Sequence, residues 1–200
     1  MNTTEQIYYV DENDNPTGEV SDKLPAHHDK TRLHAAFSSY IFNDAGLFLV
    51  TQRAFSKKVW PRVWTNSCCG HPAPNETRED AILRRLDNEL GMSATDIKIG
   101  LPEYRYTSPP YNGIIENEFC PLYFAKAVGE PIPNPAEVED YKWVEWDWFL
   151  EQIAQDSNDY STPDSPDAPI WSWWCKDQLK QLKAINADPY EILNIKRKRS

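Results

Sequence analysis

Short apolar, β-prone runs separated by turn residues fill most of the first half of the chain. The run 6–11 is followed by an Asn-Asp-Asn-Pro-Thr-Gly turn signal, and Asn-Asp-Ala-Gly joins the runs 32–42 and 47–51, which predicts a β-hairpin. A loop with four basic residues follows at 53–62. Further strands are predicted over 63–69, 97–107, 114–128 and 141–146.

The apolar period changes to that of a helix near the middle of the chain. Ile82, Leu86 and Leu90 recur at helical spacing, and Gly91 stands where a glycine commonly ends a helix. These positions predict a helix over 76–90.

The second half of the chain completes the predicted organisation. Helices are expected over 147–155 and 170–184, on either side of an acidic, proline-rich loop at 156–169. The order of elements predicts an α+β fold with a mixed sheet and one central helix. We expect one domain over 1–184 and a C-terminal tail over 185–200, which ends in a solvated Lys-Arg-Lys-Arg-Ser terminus.

Composition and charge exclude several classes of protein. The chain has 200 residues, and 21 Lys and Arg stand against 31 Asp and Glu, giving a net charge of −10. That balance argues against a nucleic-acid-binding protein, whose surface would be basic. The chain has no run of 18 apolar residues, so no membrane insertion is expected.

Four cysteines are present: Cys68, Cys69, Cys120 and Cys175. No secretory signal precedes them and no paired Cys-x-x-Cys spacing occurs, so we expect reduced thiols and a cytoplasmic protein. In an extended segment the adjacent Cys68 and Cys69 point to opposite sides, so that only one of them can face a given cavity. Residue spacing alone does not decide which one does.

The histidines suggest a metal site. All four lie within the first 71 residues, and Glu116 and Glu118 would point to one face of a predicted strand. Those two carboxylates are compatible with an exposed sheet face or with a bound cation. Three imidazoles and two carboxylates would suit Mn²⁺, Mg²⁺ or another divalent transition metal better than a closed structural zinc site.

The central helix carries a recognisable motif with two departures. The segment Gly70-x5-Glu76-x7-Arg84-Arg85-Leu86-x-Asn88-Glu89-x-Gly91-Met92 resembles the Nudix box, G-x5-E-x7-R-E-U-x-E-E-x-G-U, where U is aliphatic. Arg85 and Asn88 replace glutamates that hold Mg²⁺ in Nudix hydrolases. Arg85 cannot bind a cation but can bind a phosphate, and it shares a helix face with Glu89. The departures favour binding of a diphosphate without hydrolysis.

Several longer motifs resemble type I isopentenyl-diphosphate isomerases from about residue 5 to residue 180. They are Thr31-Arg32-Leu33-His34-x-Ala-Phe-Ser-Ser, Ser56-Lys57-Lys58-x-Trp60-Pro61, Val63-Trp64-Thr65-Asn66-Ser67-x-Cys69-Gly70-His71-Pro72 and Glu116-Asn117-Glu118-x-Cys120-Pro121. The resemblance implies a Nudix-like mixed β-sheet sandwich with a central helix and flanking helices. It also implies interconversion of isopentenyl and dimethylallyl diphosphate.

The same resemblance implies a set of site residues. One divalent metal (Mn²⁺, Mg²⁺ or Zn²⁺) would be held by His27, His34, His71, Glu116 and Glu118, with His28 a bystander. The matching catalytic residues are Cys69, Glu118, Tyr106 and Trp174, although Trp173 stands where the family has proline. The diphosphate would be bound by Lys23, Arg53, Lys57 and Arg85, and Glu89 would bind a second Mg²⁺ that accompanies it.

Two other functions are compatible with parts of the sequence. A Nudix hydrolase of nucleoside diphosphates would share the fold, but its reaction would not need the thiol and carboxylate pair of Cys69 and Glu118. A non-enzymatic metal-binding or interaction module would leave the basic loop at 53–62 unexplained. The expected partner is therefore a small isoprenyl diphosphate, bound by a monomer or weak dimer.

Overall fold

The computed structural model describes residues 5–156 and 171–198. The loop predicted at 156–169 therefore lies outside the described residues, apart from Asp156. The helices are α1 (Lys23–Ala26), α2 (Arg78–Leu90), α3 (Trp146–Gln155), α4 (Trp173–Ala184) and α5 (Pro189–Leu193). Among these helices, none is both long and apolar enough to span a membrane.

The strands of the described residues form two mixed sheets. They are β1 (Gln6–Val10), β2 (Pro16–Asp22), β3 (His34–Ala35), β4 (Phe37–Phe42), β5 (Phe48–Arg53), β6 (Trp64–Thr65), β7 (Cys68–Gly70), β8 (Ser93–Leu101), β9 (Arg105–Thr107), β10 (Asn117–Phe119), β11 (Leu122–Val128) and β12 (Val138–Val144). One sheet has the order β2-β1-β3-β10-β9, and the other has β12-β5-β4-β11-β8, with β6 paired to β5 and β7 to β4. The predicted α+β class with a mixed sheet is confirmed.

A pair of parallel segments runs from one sheet into the other. Strand β3 pairs with β10, and after Ala36 the same two segments continue as β4 and β11. Across the junction, the Ala36 amide donates to the Phe119 carbonyl at 2.8 Å and the Ser38 amide donates to the Pro121 carbonyl at 3.0 Å. The crossing places His34, the register partner of Glu118, only four residues before Ser38 on the other sheet.

Helix α2 has clear start and stop signals. The Thr77 side chain accepts from the Asp80 amide, and Gly91 ends the helix in the left-handed conformation with φ 56°. The helix predicted at 76–90 is therefore confirmed, with its first turn beginning at Arg78. A Cβ on Gly70 would lie 3.1 Å from the Arg85 Cγ, so glycine allows β7 to approach this helix closely.

Aromatic packing stabilises the larger core cluster. Tyr40 stacks on Phe48 with ring centroids 5.1 Å apart, and Phe48 packs against Phe149 at 4.8 Å. All three side chains are fully buried. Each contributes about 2 kcal/mol through burial of apolar surface. Most of the tryptophans, like these rings, take part in packing.

Four predicted strands are each interrupted in the structure, among them 114–128, which divides into β10 and β11. The segment 32–42 is divided where the chain passes between sheets at Ala36, and 97–107 is divided near Pro102, which has no amide hydrogen for a ladder. The segment 63–69 forms β6 and β7, separated by Asn66 and Ser67. There the Ser67 hydroxyl accepts from the Ile41 amide at 2.8 Å, so a side chain replaces a ladder bond.

The segment predicted to be a C-terminal tail is partly folded onto the core. Asp188 caps α5, Pro189 begins it, and Tyr190 and Leu193 are buried. The Tyr190 hydroxyl donates to the Gly46 carbonyl at 2.8 Å, which ties α5 to the turn between β4 and β5. The apolar residues of this short helix therefore pack against the aromatic core, whereas Lys196, Arg197 and Lys198 at the basic end are exposed.

Candidate active site

Both sheets and the three helices α1, α2 and α4 line one cavity of about 670 Å³. Tyr106 and Glu118 come from the first sheet, whereas Cys69 comes from the second. Helix α2 supplies Arg85 and Glu89, and α4 supplies Trp174. Residues that are far apart in the sequence therefore meet around a single space.

Three histidines and a carboxylate converge beside this cavity. The ligand atoms of His27, His34, His71 and Glu118 all lie within 4.8 Å of one another. The Nδ1 of His27 is 2.7 Å from the Lys23 carbonyl, and the Nδ1 of His34 is 2.9 Å from the Arg32 carbonyl. Each carbonyl accepts the Nδ1 hydrogen, which leaves the Nε2 lone pair of its ring available to a metal.

The environment of these side chains fits a divalent cation. The His34 Nε2 is buried and has no hydrogen-bond partner among the described residues. Burial lowers the pKa of His27, and burial also lowers the pKa of His71 to about 3, so both imidazoles are neutral. Burial alone would raise the pKa of Glu118, but the His34 and His71 rings beside the carboxylate, the latter within hydrogen-bond distance at 2.9 Å, hold that pKa well below its usual value. Neutral imidazoles and an ionised carboxylate are the protonation states that a metal requires.

Glu116 lies outside this group of four. It precedes β10, and its amide donates to the Ser108 hydroxyl at 2.8 Å. The Tyr106 hydroxyl donates to Glu118 at 2.6 Å and lies 3.4 Å from Glu116. Burial and the nearby charge of Glu118 raise the pKa of Glu116 to about 7. The predicted role of Glu116 as a metal ligand stays a prediction.

Both adjacent cysteines are among the residues that line the cavity, but they pack in different core clusters. Cys68 is buried in the core cluster beneath α2, whereas the partly exposed Cys69 packs beside the other cluster. The Cys69 sulfur is 3.3 Å from the Ser38 hydroxyl and 3.1 Å from the Asn66 amide nitrogen. Burial raises the pKa of Cys69 to about 12, so its thiol keeps its proton at neutral pH.

The structure also separates the two adjacent tryptophans. Trp174 lines the cavity, and its indole N–H donates to the Thr65 hydroxyl at 2.8 Å and to Asn66 Oδ1 at 3.1 Å. Trp173 instead packs edge-on against Tyr106, with ring centroids 4.7 Å apart. Trp174 therefore lines the cavity and Trp173 does not, and the predicted role of Trp174 stays a prediction.

The predicted diphosphate-binding residues all line the cavity, and three of them are paired with carboxylates. Lys23 is 2.8 Å from Glu5, and Arg85 is 3.0 Å from Glu137, which also pairs with Lys57. The Arg85 Nε donates to Glu89 at 2.8 Å. Arg53 donates to the backbone carbonyls of Val59 and Trp60, both at 3.1 Å.

Comparison with known proteins identifies the family. Residues 32–165 match the NUDIX domain family. The sequence is 41% identical over 187 residues to the isopentenyl-diphosphate Delta-isomerase of Saccharopolyspora erythraea, covering 94% of this chain and 90% of the relative. It is 44% identical over 191 residues to the enzyme of the same name from Paenarthrobacter aurescens, covering 96% and 97%. The chain belongs to the isopentenyl-diphosphate Delta-isomerase family.

Solved structures support the same fold. This isomerase-family chain is similar to a Deinococcus radiodurans protein with a TM-score of 0.61 and 19% identity, covering 90% of this chain and 98% of that one. It is also similar to a MutT NUDIX hydrolase of Burkholderia pseudomallei with a TM-score of 0.52 and 20% identity, covering 75% and 98%. At these identities the likeness concerns the fold alone. The predicted Nudix-like architecture is confirmed.

Two carboxylates of this family member's cavity are missing from the sequence-based prediction. Glu5 lies just before β1, and Glu137 lies in the connection between β11 and β12. Neither residue belongs to a recognisable motif, so no local signal could have found them. Asn66 and Ser38 are different, because both lie inside motifs that resemble the family, although the resemblance assigns a role to neither residue.

Substituting Arg85 in this isomerase-family chain should strongly destabilise it. Arg85→Met leaves Glu89 and Glu137 without their buried cationic partner, and loss of one member of a buried ion pair costs about 3 kcal/mol or more. The free energy of unfolding can be measured with urea at neutral pH. Arg84→Met is the matched control, because the Arg84 side chain is 39% exposed and its pair with Glu76 should contribute about 1 kcal/mol or less. Equal losses in the two variants would contradict the expectation.

Proposed function

We propose that this protein interconverts isopentenyl and dimethylallyl diphosphate by proton transfer through a tertiary carbocation. The observation that carries the proposal is the placement of Cys69 and Glu118 on two different sheets around one cavity. The substrate has three consecutive carbons at which one proton must arrive and another must leave. Two proton carriers on separate walls of a cavity meet that requirement.

The protonation states of the two carriers complement each other. In the free protein the Cys69 thiol holds a proton and Glu118 is ionised. One group gives a proton to C4, so that positive charge forms at C3, and the other accepts the proton that leaves C2. The reverse reaction exchanges these roles. Burial raises the pKa of Tyr106 well above its usual value, so its hydroxyl remains a donor that orients the Glu118 carboxylate.

The residues around Glu118 fit a divalent metal. His27, His34, His71 and Glu118 would hold one Mn²⁺, Mg²⁺ or Zn²⁺ ion, and Glu116 would complete the set. When bound, the ion would lower the proton affinity of Glu118 and stiffen its geometry. The buried His34 Nε2, which has no partner among the described residues, supports this assignment.

Aromatic side chains would protect the carbocation from water. Trp174 lines the cavity, and an indole face attracts a desolvated cation by about 2 kcal/mol. That attraction is small compared with the full barrier to protonation of an alkene. Positioning of the substrate in a dry cavity therefore contributes more than the indole.

The basic residues would hold the diphosphate. Lys23, Arg53, Lys57 and Arg85 line the cavity together with Glu5, Glu89 and Glu137, so the surroundings have only a small net charge. A second Mg²⁺ that accompanies the diphosphate would offset this carboxylate charge, and Glu89 is its proposed ligand. Asn88 and Arg85 replace two carboxylates of the hydrolytic Nudix box, which supports binding without hydrolysis.

Compartment and assembly stay predictions. The described cysteines are free thiols, which suits a reducing cytoplasm. The small substrate is the expected partner of a monomer or weak dimer, and the acidic composition supports the prediction that nucleic acid is not bound.

Proton NMR in D₂O tests the proposed activity. Isopentenyl diphosphate with the purified protein, Mg²⁺ and Mn²⁺ should give allylic methyl signals and deuterium at C2 and C4. Release of inorganic phosphate or of isopentenol with no rearrangement would instead favour the Nudix hydrolase alternative. An unchanged substrate with Mg²⁺, Mn²⁺ and Zn²⁺ each supplied would contradict both activities.

A further inference from the structure

We infer that Tyr40, Gln178 and Ser38 form a hydrogen-bond relay that positions the Cys69 thiol for proton transfer. The inference rests on the proposed function, since it concerns one of the two proposed proton carriers. It assigns a role to three residues that neither bind the metal nor contact the diphosphate-binding group. The relay begins at Tyr40 on strand β4, passes through Gln178 on helix α4, returns to β4 at Ser38 and ends on strand β7.

The relay consists of three successive contacts. The Tyr40 hydroxyl donates to Gln178 Oε1 at 2.9 Å, and Gln178 Nε2 donates to the Ser38 hydroxyl oxygen at 2.7 Å. The Ser38 oxygen lies 3.3 Å from the Cys69 sulfur. Ser38 and Cys69 are register partners of the β4–β7 pair, so the sheet itself brings the last two groups together.

The direction of each hydrogen bond follows from the groups at the start of the relay. The Tyr40 hydroxyl donates to the side-chain carbonyl oxygen of Gln178. The amide N–H₂ of Gln178 therefore faces Ser38. Because the Ser38 oxygen accepts from that amide, its own hydrogen is left for a sulfur atom. Two sulfurs are in reach, Cys69 at 3.3 Å and Cys120 at 3.5 Å, and the contact with Cys69, the register partner of Ser38, is the shorter.

Burial makes this arrangement rigid. Tyr40 and Gln178 are fully buried, and Ser38 is 1% exposed, so water cannot replace the hydrogen bonds that these side chains make. Burying polar groups this deeply is costly unless each is satisfied. In this relay each buried polar group has a hydrogen-bond partner, and the last partner is the Cys69 thiol. The relay therefore holds that thiol in one position.

The hydroxyl would also assist the chemical step. When Cys69 protonates an alkene carbon, the S–H bond breaks, a C–H bond forms, and the electron pair stays on sulfur. The Ser38 O–H and the Asn66 N–H both point at that sulfur and would stabilise the negative charge that develops there. Deprotonation of the substrate by the same sulfur would reverse the sequence.

Kinetics of Ser38 variants test the relay. In Ser38→Ala, kcat should fall by about tenfold or more while KM for isopentenyl diphosphate stays within about twofold, because the diphosphate site is untouched. Ser38→Thr keeps the hydroxyl and should restore most of kcat. The matched control is Ser39→Ala, since Ser39 is equally buried but donates to the Cys68 carbonyl at 2.9 Å. Its kcat should stay near that of the wild type.

A double-mutant cycle separates a relay from general loss of packing. Gln178→Met and Tyr40→Phe should each lower kcat by about threefold or more, with no further loss when either is added to Ser38→Ala. Additive losses would overturn the relay, as would a Ser38→Ala variant with unchanged kcat. If Ser38→Ala does not fold, Tyr40→Phe removes a single oxygen, and its unchanged kcat would likewise overturn the inference. Turnover by the wild type is measured first, so that failure of the proposed activity is recognised separately.

Discussion

Replacing Cys69 by alanine should lower kcat for isomerisation about a thousandfold or more. General acid–base groups contribute factors of about 10² to 10⁴, and the opposite carrier, Glu118, cannot serve both ends of the three-carbon unit at once. The diphosphate-binding residues remain in place, so binding of substrate should change little. Allylic methyl signals followed by proton NMR give the rate, and titration with inorganic pyrophosphate gives the integrity of the anion site.

The neighbouring cysteine provides the control for this experiment. Cys68→Ala removes an identical side chain one residue away, from the core cluster beneath α2. Because Cys68 is 2% exposed, its loss should lower the free energy of unfolding by about 1 kcal/mol, while kcat stays within about threefold. If Cys68→Ala were inactive and Cys69→Ala active, the assignment of the thiol would be reversed.

Removing the metal should have a comparably large effect. Dialysis against a chelator should reduce isomerisation more than about a hundredfold, and Mn²⁺, Mg²⁺ or Zn²⁺ should restore it. Loss of an ion present at 100 times its dissociation constant also lowers stability by about 2.7 kcal/mol. Metal content measured by plasma mass spectrometry should show one tightly bound ion per chain.

Two histidine variants make this prediction specific. His34→Ala removes a buried ligand and should prevent both metal retention and restoration of activity. His28→Ala is the matched control, because the His28 side chain is 51% exposed and lies outside the converging group. Retention of one equivalent of metal by His34→Ala would contradict the proposed site.

The same site predicts a direction of pH dependence. Protons compete with the metal for imidazole nitrogens, so affinity falls as the pH falls. Burial lowers the pKa of His71 to about 3, so this ring stays neutral at about pH 6, where free imidazole is mostly protonated, and burial also lowers the pKa of His27. Metal titrations at about pH 6 and pH 7.5 should therefore differ less than titrations of a solvent-exposed histidine cluster.

The carboxylates near the diphosphate-binding residues change how that region is understood. From the sequence, Lys57 and Arg85 are cations available to an anion. In the structure Glu137 contacts both of them, and burial lowers the pKa of Lys57 while the pair with Glu137 opposes that shift. Glu137 lets two cations lie close together in a partly buried region where they would otherwise repel each other.

Short-range sequence patterns were sufficient to predict one central helix, the family and one shared helix face of this protein. The period of Ile82, Leu86 and Leu90, with Gly91 after them, was sufficient to predict α2, because helix formation depends on neighbours within a few residues. The extended motifs were sufficient to predict the family, which the comparisons confirm. The same helical spacing placed Arg85 and Glu89 on one face, and the structure joins them by a hydrogen bond.

Only the tertiary structure decided which groups meet. Sequence spacing left Cys68 and Cys69 as equal alternatives, and the pairing of β7 with β4 placed Cys69 beside Ser38. The contact of Glu137 with Arg85 and the relay from Gln178 to Ser38 join residues more than 50 positions apart. Such contacts depend on the order of strands and on the passage of two parallel segments from one sheet to the other. No short-range pattern encodes that order, because it results from packing of the whole core.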